Sequence, residues 1–256
     1  MKPNLNERQE QIVALLKAEG EVKIAALSKQ FQVTEMTIRR DLEKLEQLTL
    51  LYRTLGGAIS STSVDMPLGE RTSVRTDEKA AIGRAAAQLI RPGEAVFLDA
   101  GTTTLQIARR IPKGADITVV TNALNVAAEL NGRQVQTLVI GGVLREATSS
   151  LVGPFAEEIM QKMAYDRVFL GASGFTLEHG FNNSNVYEAE LKRIAMTKGA
   201  EVNMVLDHTK FGYQSLASFA TLRQVNRIIT NAAPPDEIVA ACREAGVDLL
   251  IAESDD

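Results

Sequence analysis

Apolar positions recur at helical spacing in three short runs along the first sixty residues, and then give way to strand-like alternation. Ile12, Val13, Leu15 and Leu16 form one stripe, which predicts a helix capped by Asn6, running to about Glu19 and closed by Gly20. Ile24, Leu27 and Phe31 predict a second helix over 24–31, followed by the short turn Gln32-Val33. Thr34 caps a third, in which Ile38 and Leu42 share one stripe while Met36, Arg40, Glu43 and Lys44 lie on the opposite one. Residues 50–55 then read as a strand, Gly56-Gly57 as a tight turn and Ala58-Ile59 as the returning strand. Three helices and a hairpin predict a winged helix-turn-helix domain over residues 1–59.

Ser60 to Asp77 is small and polar, holds a Pro and a Gly, and has no apolar period, so residues 60–76 are expected to be a linker. From 77 to 256 the pattern changes again. Apolar runs at 95–99, 117–121, 136–140, 167–171, 202–207, 227–230 and 248–252 alternate with helical patterns at 103–111, 123–130, 154–163, 187–199 and 235–245. Strands that are apolar on both faces and separated by helices predict a parallel sheet covered on both sides, an α/β fold.

Composition narrows the function without naming it. Hydrophobic residues are 45% and charged residues 23% of 256, and no apolar run approaches the ~20 residues of a membrane span. The opening M-K-P-N-L-N-E-R-Q-E has no apolar signal segment, and a cytoplasmic protein is expected. Cys242 stands alone and only His179 and His208 accompany it, so neither a disulfide nor a metal site is expected. Neither G-x-G-x-x-G nor a Walker pattern occurs, which disfavours dinucleotides and nucleoside triphosphates, and no cofactor is expected. Net charge is -4 overall, yet residues 1–60 hold nine Lys/Arg against eight Asp/Glu, leaving 19 against 24 beyond them. A near-neutral head can grip DNA only through a local basic cluster and as paired copies, so a homo-oligomer, dimer or tetramer, is expected.

The third helix supplies that cluster. Arginine bonds guanine edges and lysine neutralises phosphates, so Thr34, Met36, Thr37, Arg39, Arg40, Lys44 and Arg53 are the candidate contacts to double-stranded DNA. Arg40 is the strongest of these; Arg39 fits a phosphate contact or an internal ion pair equally well, and Arg53 a backbone contact or a solvated strand position. Asp41 falls toward the buried edge and is expected to pair with a nearby basic group.

In an open parallel sheet ligands bind beyond the carboxyl ends of the strands. The first strand of the larger domain ends in Asp99-Ala100-Gly101-Thr102-Thr103-Thr104 and passes straight into a helix, whose free N–H groups and threonine hydroxyls suit a phosphate. Later strands end in Thr121-Asn122, Gly141-Gly142, Gly171-Ala172-Ser173-Gly174 and Asp207-His208-Thr209-Lys210. A phosphate also asks for a cation, with Lys192, Lys210 and Arg145 as candidates. Asp99 suits sugar hydroxyls or braces the loop, and the stretch from Phe175 to Asn185, with Glu178, His179, Asn182 and Asn183, reads as a long loop that either covers a ligand or is a polar excursion.

The spacing Arg8, Ile12, Leu16, Thr34, Thr37, Ile38, Arg39, Arg40, Asp41, Leu42, with Arg53-Thr54-Leu55-Gly56-Gly57-Ala58 after it, resembles the helix-turn-helix signature of the DeoR-type family of bacterial sugar-operon repressors. From about Asp77 onward the chain is similar to that family's sensor domain, whose fold is like ribose-5-phosphate isomerase. The positions that match are Asp99, Gly101, Thr102, Thr103, Thr121, Asn122, Gly141, Gly142, Gly153, Glu190, Lys192, Asp207, Thr209 and Lys210. The resemblance implies a sugar-phosphate effector. Two alternatives stay open: a sugar-phosphate isomerase with a DNA-binding appendage, using Asp99, Glu188 or Glu190 as base, and a module whose helix-turn-helix contacts protein.

Overall fold

The computed structural model describes residues 5–19, 21–48, 50–54, 56–60 and 68–253. Two compact units divide the chain, the first ending at Val74 and the second starting at Arg75. The first holds α1 (Glu7–Glu19), β1 (Glu21–Lys23), α2 (Ile24–Phe31), α3 (Glu35–Gln47), β2 (Leu51–Thr54), β3 (Gly57–Ser60) and the short α4 (Leu68–Thr72). The expected helix stop at Gly20, the strand residue Leu55 and residues 61–67 of the expected linker lie outside the described residues.

Each helix of the first unit forms where the pattern places it. Asn6 and Gln9 cap α1 reciprocally, Gln9 N donating to Asn6 Oδ1 at 2.9 Å and Asn6 N to Gln9 Oε1 at 3.2 Å. Gln32 turns the chain after α2 in the left-handed region (φ 54), and Val33 N and Ser28 Oγ close the turn through Ser28 O and Val33 O. Ile12, Leu16, Leu27, Ile38, Leu42, Leu45 and Leu51 are all buried in one core, each worth roughly 1.5–3 kcal/mol on burial. No periodicity marks β1, which pairs antiparallel with β3 on the side away from β2. Gly57 is what admits it: a Cβ there would sit 1.8 Å from Val22 O.

The second unit runs α5 (Thr76–Ala87), β4 (Ala95–Leu98), α6 (Thr102–Arg110), β5 (Thr118–Thr121), α7 (Leu124–Leu130), β6 (Gln136–Val139), β7 (Val143–Arg145), β8 (Ser150–Val152), α8 (Pro154–Gln161), β9 (Tyr165–Leu170), β10 (Gly174–Thr176), β11 (Gly180–Asn183), α9 (Val186–Lys198), β12 (Gly199–Val205), β13 (Ala217–Ala220), β14 (Arg227–Thr230), α10 (Asp236–Ala245) and β15 (Asp248–Ile251). Seven of these strands form one sheet in the order β15-β14-β12-β9-β4-β5-β6, every neighbouring pair parallel. Alternate side chains enter two cores: Val96 and Leu98 pack with α5, α6 and α7, whereas Phe97 packs with α8, α9 and α10.

All seven predicted strands and all five predicted helices are present, with ends displaced by a few residues at most. Two readings need correction. Residues 76–87 form α5, whose Ala81, Ile82 and Ala86 are buried, and residues 68–72 of the expected linker form a short helix. The stretch from 175 to 185 is no open loop: β10 and β11 pair as a hairpin that β13 extends. Phe175 and Phe181 drive this, buried with ring centroids 4.4 Å apart, and the polar residues between them hid the alternation.

Candidate functional sites

On α3 the Thr34 hydroxyl accepts from Thr37 N at 3.2 Å and lies 3.0 Å from the Thr37 hydroxyl, so both threonines are engaged in holding the helix start. Past that cap the solvent side carries Met36, 60% exposed, with Arg39, Arg40, Glu43 and Lys44. Arg40 has no bonding partner among the described residues. Arg39 sits 3.9 Å from Glu35 in an exposed i,i+4 pair, too loose and wet to commit it. Asp41 pairs as expected: Arg8 Nε donates to it at 2.5 Å and Gln9 Nε2 at 2.9 Å, which ties α1 to the buried edge of α3. Arg53 is less available than the sequence suggested. Its side chain reaches Glu46 Oε2 at 3.1 Å and its N–H donates to Glu46 Oε1 at 3.0 Å, joining the hairpin to α3.

In the second unit the candidate residues fall into three groups at the strand ends. Asp99, just past β4, is buried and accepts from Gly171 N at 3.2 Å and from the buried Lys192 ammonium of α9. Burial raises the Asp99 carboxyl, with Lys192 pulling the other way. Lys192 also lies over the Phe219 ring at 5.7 Å. Lys192 is therefore already neutralised by Asp99, where the sequence reading had offered it to a phosphate. Glu188, one turn back on α9, accepts from Thr148 Oγ1 at 2.5 Å and Ser150 Oγ at 3.0 Å, with Arg145 Nε 3.4 Å away. Glu190 instead faces outward, paired with Arg193 at 2.7 Å.

The second group surrounds the start of α6. Leu105 N and Thr104 Oγ1 both donate to Gly101 O, at 3.2 and 3.1 Å, which leaves the first-turn N–H groups without helical acceptors. Thr102 and Thr103 are buried, and their hydroxyls bond nothing among the described residues. Thr121 spends its hydroxyl on Leu98 O at 2.6 Å and on Ala123 N at 3.1 Å, so its role is to brace the rim. Asn122 Nδ2 donates to Leu151 O at 3.2 Å, and Asn125, which sequence reasoning overlooked, reaches Gly101 O at 3.5 Å. Both amides keep a buried Oδ1 without a donor among the described residues. Gly141 and Gly142 are exposed, and Gly142 lies against β8, where a Cβ would meet Val152 O at 2.7 Å.

Asp207 organises the third. It is buried, caps the turn 208–210 through Thr209 N at 3.1 Å and through the Thr209 hydroxyl, and attracts Lys210, Arg75 and Lys79. Burial alone would raise this carboxyl; the three cations and the Thr209 bond outweigh it and hold it at about 2. Lys210 thus stands with Asp207 and not with the Asp99–Lys192 pair. Nothing in the sequence marked Arg75 or Lys79, because two cations four apart at a helix start resemble any solvated pair. The expected lid residues are structural: Asn182 donates to Gly180 O at 3.0 Å and accepts from Ser215 N at 2.9 Å, and Asn183 accepts from Asn185 N at 3.1 Å. His179 N donates to Thr176 Oγ1 at 3.0 Å within the hairpin turn. No group of three or more potential metal ligands occurs among the described residues, and no helix there is long and apolar enough to cross a membrane.

Comparison with known proteins matches both units. The DeoR-like helix-turn-helix domain matches residues 8–64 and the DeoR C terminal sensor domain residues 74–232. The HTH-type transcriptional regulator GlpR of Haloferax volcanii is 35% identical over 246 residues, 95% of this chain and 96% of its own length. The glycerol-3-phosphate regulon repressor of Escherichia coli is 30% identical over 245 residues, 95% of this chain and 97% of its own. Among solved structures, ribose 5-phosphate isomerase A of Methanocaldococcus jannaschii aligns with 52% of this chain and 53% of its own at 12% identity and a TM-score of 0.38.

Proposed function

Because the chain belongs to the DeoR family of transcriptional regulators, we propose that it represses a carbohydrate-use operon and that a phosphorylated sugar or related metabolite sets its grip on the operator. The winged helix takes the duplex in the cytoplasm: Arg40 and Met36 meet base edges in the major groove, Arg39, Lys44 and Arg53 meet phosphates, and Thr34 and Thr37 fix the helix start against the backbone. Two or more copies are needed, since one near-neutral head neutralises too few phosphates. The effector binds at the strand ends of the sheet, with its phosphate on the first turn of α6 at Gly101, Thr102, Thr103 and Thr104. Asn122, Gly141 and Gly142 flank it, Lys210 supplies charge, and Asp99 with Lys192 and Thr121 hold the floor.

The observation that carries this reading is the α6 start. Unsatisfied N–H groups stand beside two hydroxyls that bond nothing among the described residues, at the end of a central strand where α/β sheets bind ligands. The name of the Escherichia coli relative, a glycerol-3-phosphate regulon repressor, agrees with a phosphorylated effector. The enzyme alternative loses its nominees, since Asp99 is tied to Lys192, Glu188 to two hydroxyls, and Glu190 to Arg193. A mobility-shift titration on the operator of the adjacent genes, with phosphorylated pentoses, hexoses and polyols, tests the proposal. One of them is expected to change operator affinity by about fivefold or more, and Thr102→Ala to keep operator binding while losing the response. If none of these compounds changes the affinity, the effector assignment fails.

A further inference from the structure

Four acidic side chains lie on α3, and three of them are paired. Glu35 stands 3.9 Å from Arg39, Asp41 is held by Arg8 and Gln9 at the buried edge, and Glu46 receives Arg53 at 3.1 Å. Glu43 is exposed and bonds nothing among the described residues, although Arg39 and Arg40 stand four and three positions before it. Its place on the helix surface gives this a consequence. At about 100° per residue, Met36, Arg40, Glu43 and Gln47 fall within about 60° of one another, opposite the buried Ile38, Leu42 and Leu45. Arg39 and Lys44 flank that spine on either side. The helix therefore cannot turn Met36 and Arg40 to base edges without bringing Glu43 with them. From Arg40 to Glu43 the axis rises about 4.5 Å, little more than one base-pair step of ~3.4 Å.

We propose that Glu43 is a base-reading residue, whose carboxylate accepts from the N4 amine of a cytosine next to the base pair that Arg40 reads. An ionised carboxylate only accepts hydrogen bonds, and phosphates on either side of the groove repel it, so it is tolerated there only opposite a donor. In the major groove guanine presents N7 and O6 and thymine O4, all acceptors, and the N6 amine of adenine lies beside its N7 acceptor. Cytosine alone offers an amine with no acceptor of its own beside it. The charge that costs affinity for the backbone thus makes α3 a filter: a register that sets another base opposite Glu43 brings acceptor against acceptor, and the wrong sequence is rejected as well as unrewarded. The assignment rests on the repressor reading for the docking of α3, and adds to it the base that one side chain selects.

Selection from a randomised duplex library by the full chain, with and without phosphorylated pentoses, hexoses and polyols, tests this. The wild-type word is expected to hold two fixed G·C pairs within about two base pairs of each other, one relaxed by Arg40→Ala and the other by Glu43→Ala. At the second pair the wild type should reject other bases by about tenfold or more, and Glu43→Ala by no more than about twofold. Glu43→Gln should convert that pair to A·T, since an amide bonds adenine through N6 and N7, and leave the remaining positions as they were. Glu43 is exposed, so far-UV circular dichroism should be the same for all of these proteins. A word identical in wild type and both Glu43 variants, or a gain in affinity for every duplex alike with no change of base, would overturn the role of Glu43 and leave the repressor reading standing. A wild type that enriches no word in either condition would end both.

Discussion

The outer side of α3 and the strand ends of the sheet use their cations in opposite ways. On α3, Arg40 projects into solvent with no partner among the described residues, and Arg39 is held only by a loose pair with Glu35. In the sheet unit, Lys192 is buried against Asp99, and Lys79 is buried in the field of Asp207. A charge that stays hydrated in the free protein is available to a polyanion, whereas one already neutralised in a low-dielectric setting is part of the scaffold. Counting lysines and arginines along a sequence does not separate the two roles; burial does.

That contrast can be broken most forcefully at Lys192. Lys192→Met leaves Asp99 buried and uncompensated, and unfolding free energy should fall by about 3–5 kcal/mol, with much of it regained in the Lys192→Met/Asp99→Asn double variant. Chemical denaturation of the four proteins reads this, and a loss below about 1 kcal/mol would mean that the pair is not part of the scaffold.

Asp207 sharpens the comparison through pH. Its folded value of about 2 lies below its ordinary 3.8, so the unfolded chain binds the proton first as pH drops. Its stabilisation is therefore complete above the ordinary range and is lost as pH falls toward 2, by about 2 kcal/mol in all. Asp99, raised by burial, works in the opposite sense, so the useful quantity is the difference between wild type and Asp207→Asn in melts from pH 2 to 6. That difference should narrow steadily toward acid; a constant offset would contradict the assignment.

At the exposed end the effects on folding are smallest. Arg40→Ala should cost ~1–3 kcal/mol of operator binding, about 10- to 100-fold, and relax base preference, with stability changed by less than about 0.5 kcal/mol. Arg39→Ala should weaken all duplexes alike, by less. Equal losses for both on operator and random DNA would show that α3 presents a different side to the groove.

What the sequence disclosed follows from the kind of signal each element leaves. Ile12, Leu16, Ile38 and Leu42 repeat at the helical period, and the sheet strands are unbroken apolar runs, so both were readable. β1 and β10 are three residues each and too short for any period, and β11 is hidden by Asn182 and Asn183, polar residues buried because the fold satisfies their amides. The rim motif Asp99-Gly101-Thr102 was legible because strand, turn and helix meet there in sequence. The partners were not: Lys192 is 93 positions from Asp99, and Thr148 is 40 from Glu188. Only tertiary packing selects which of 28 Lys/Arg finds which of 32 Asp/Glu.

The β7–β8 hairpin turns one way toward Glu188, through Arg145, Thr148 and Ser150, and the other way to solvent, through Val143 and Leu144. Its strands are three residues long, about 10 Å, so a single residue along the chain separates the guanidinium held near a buried carboxylate from the apolar side chains that meet water.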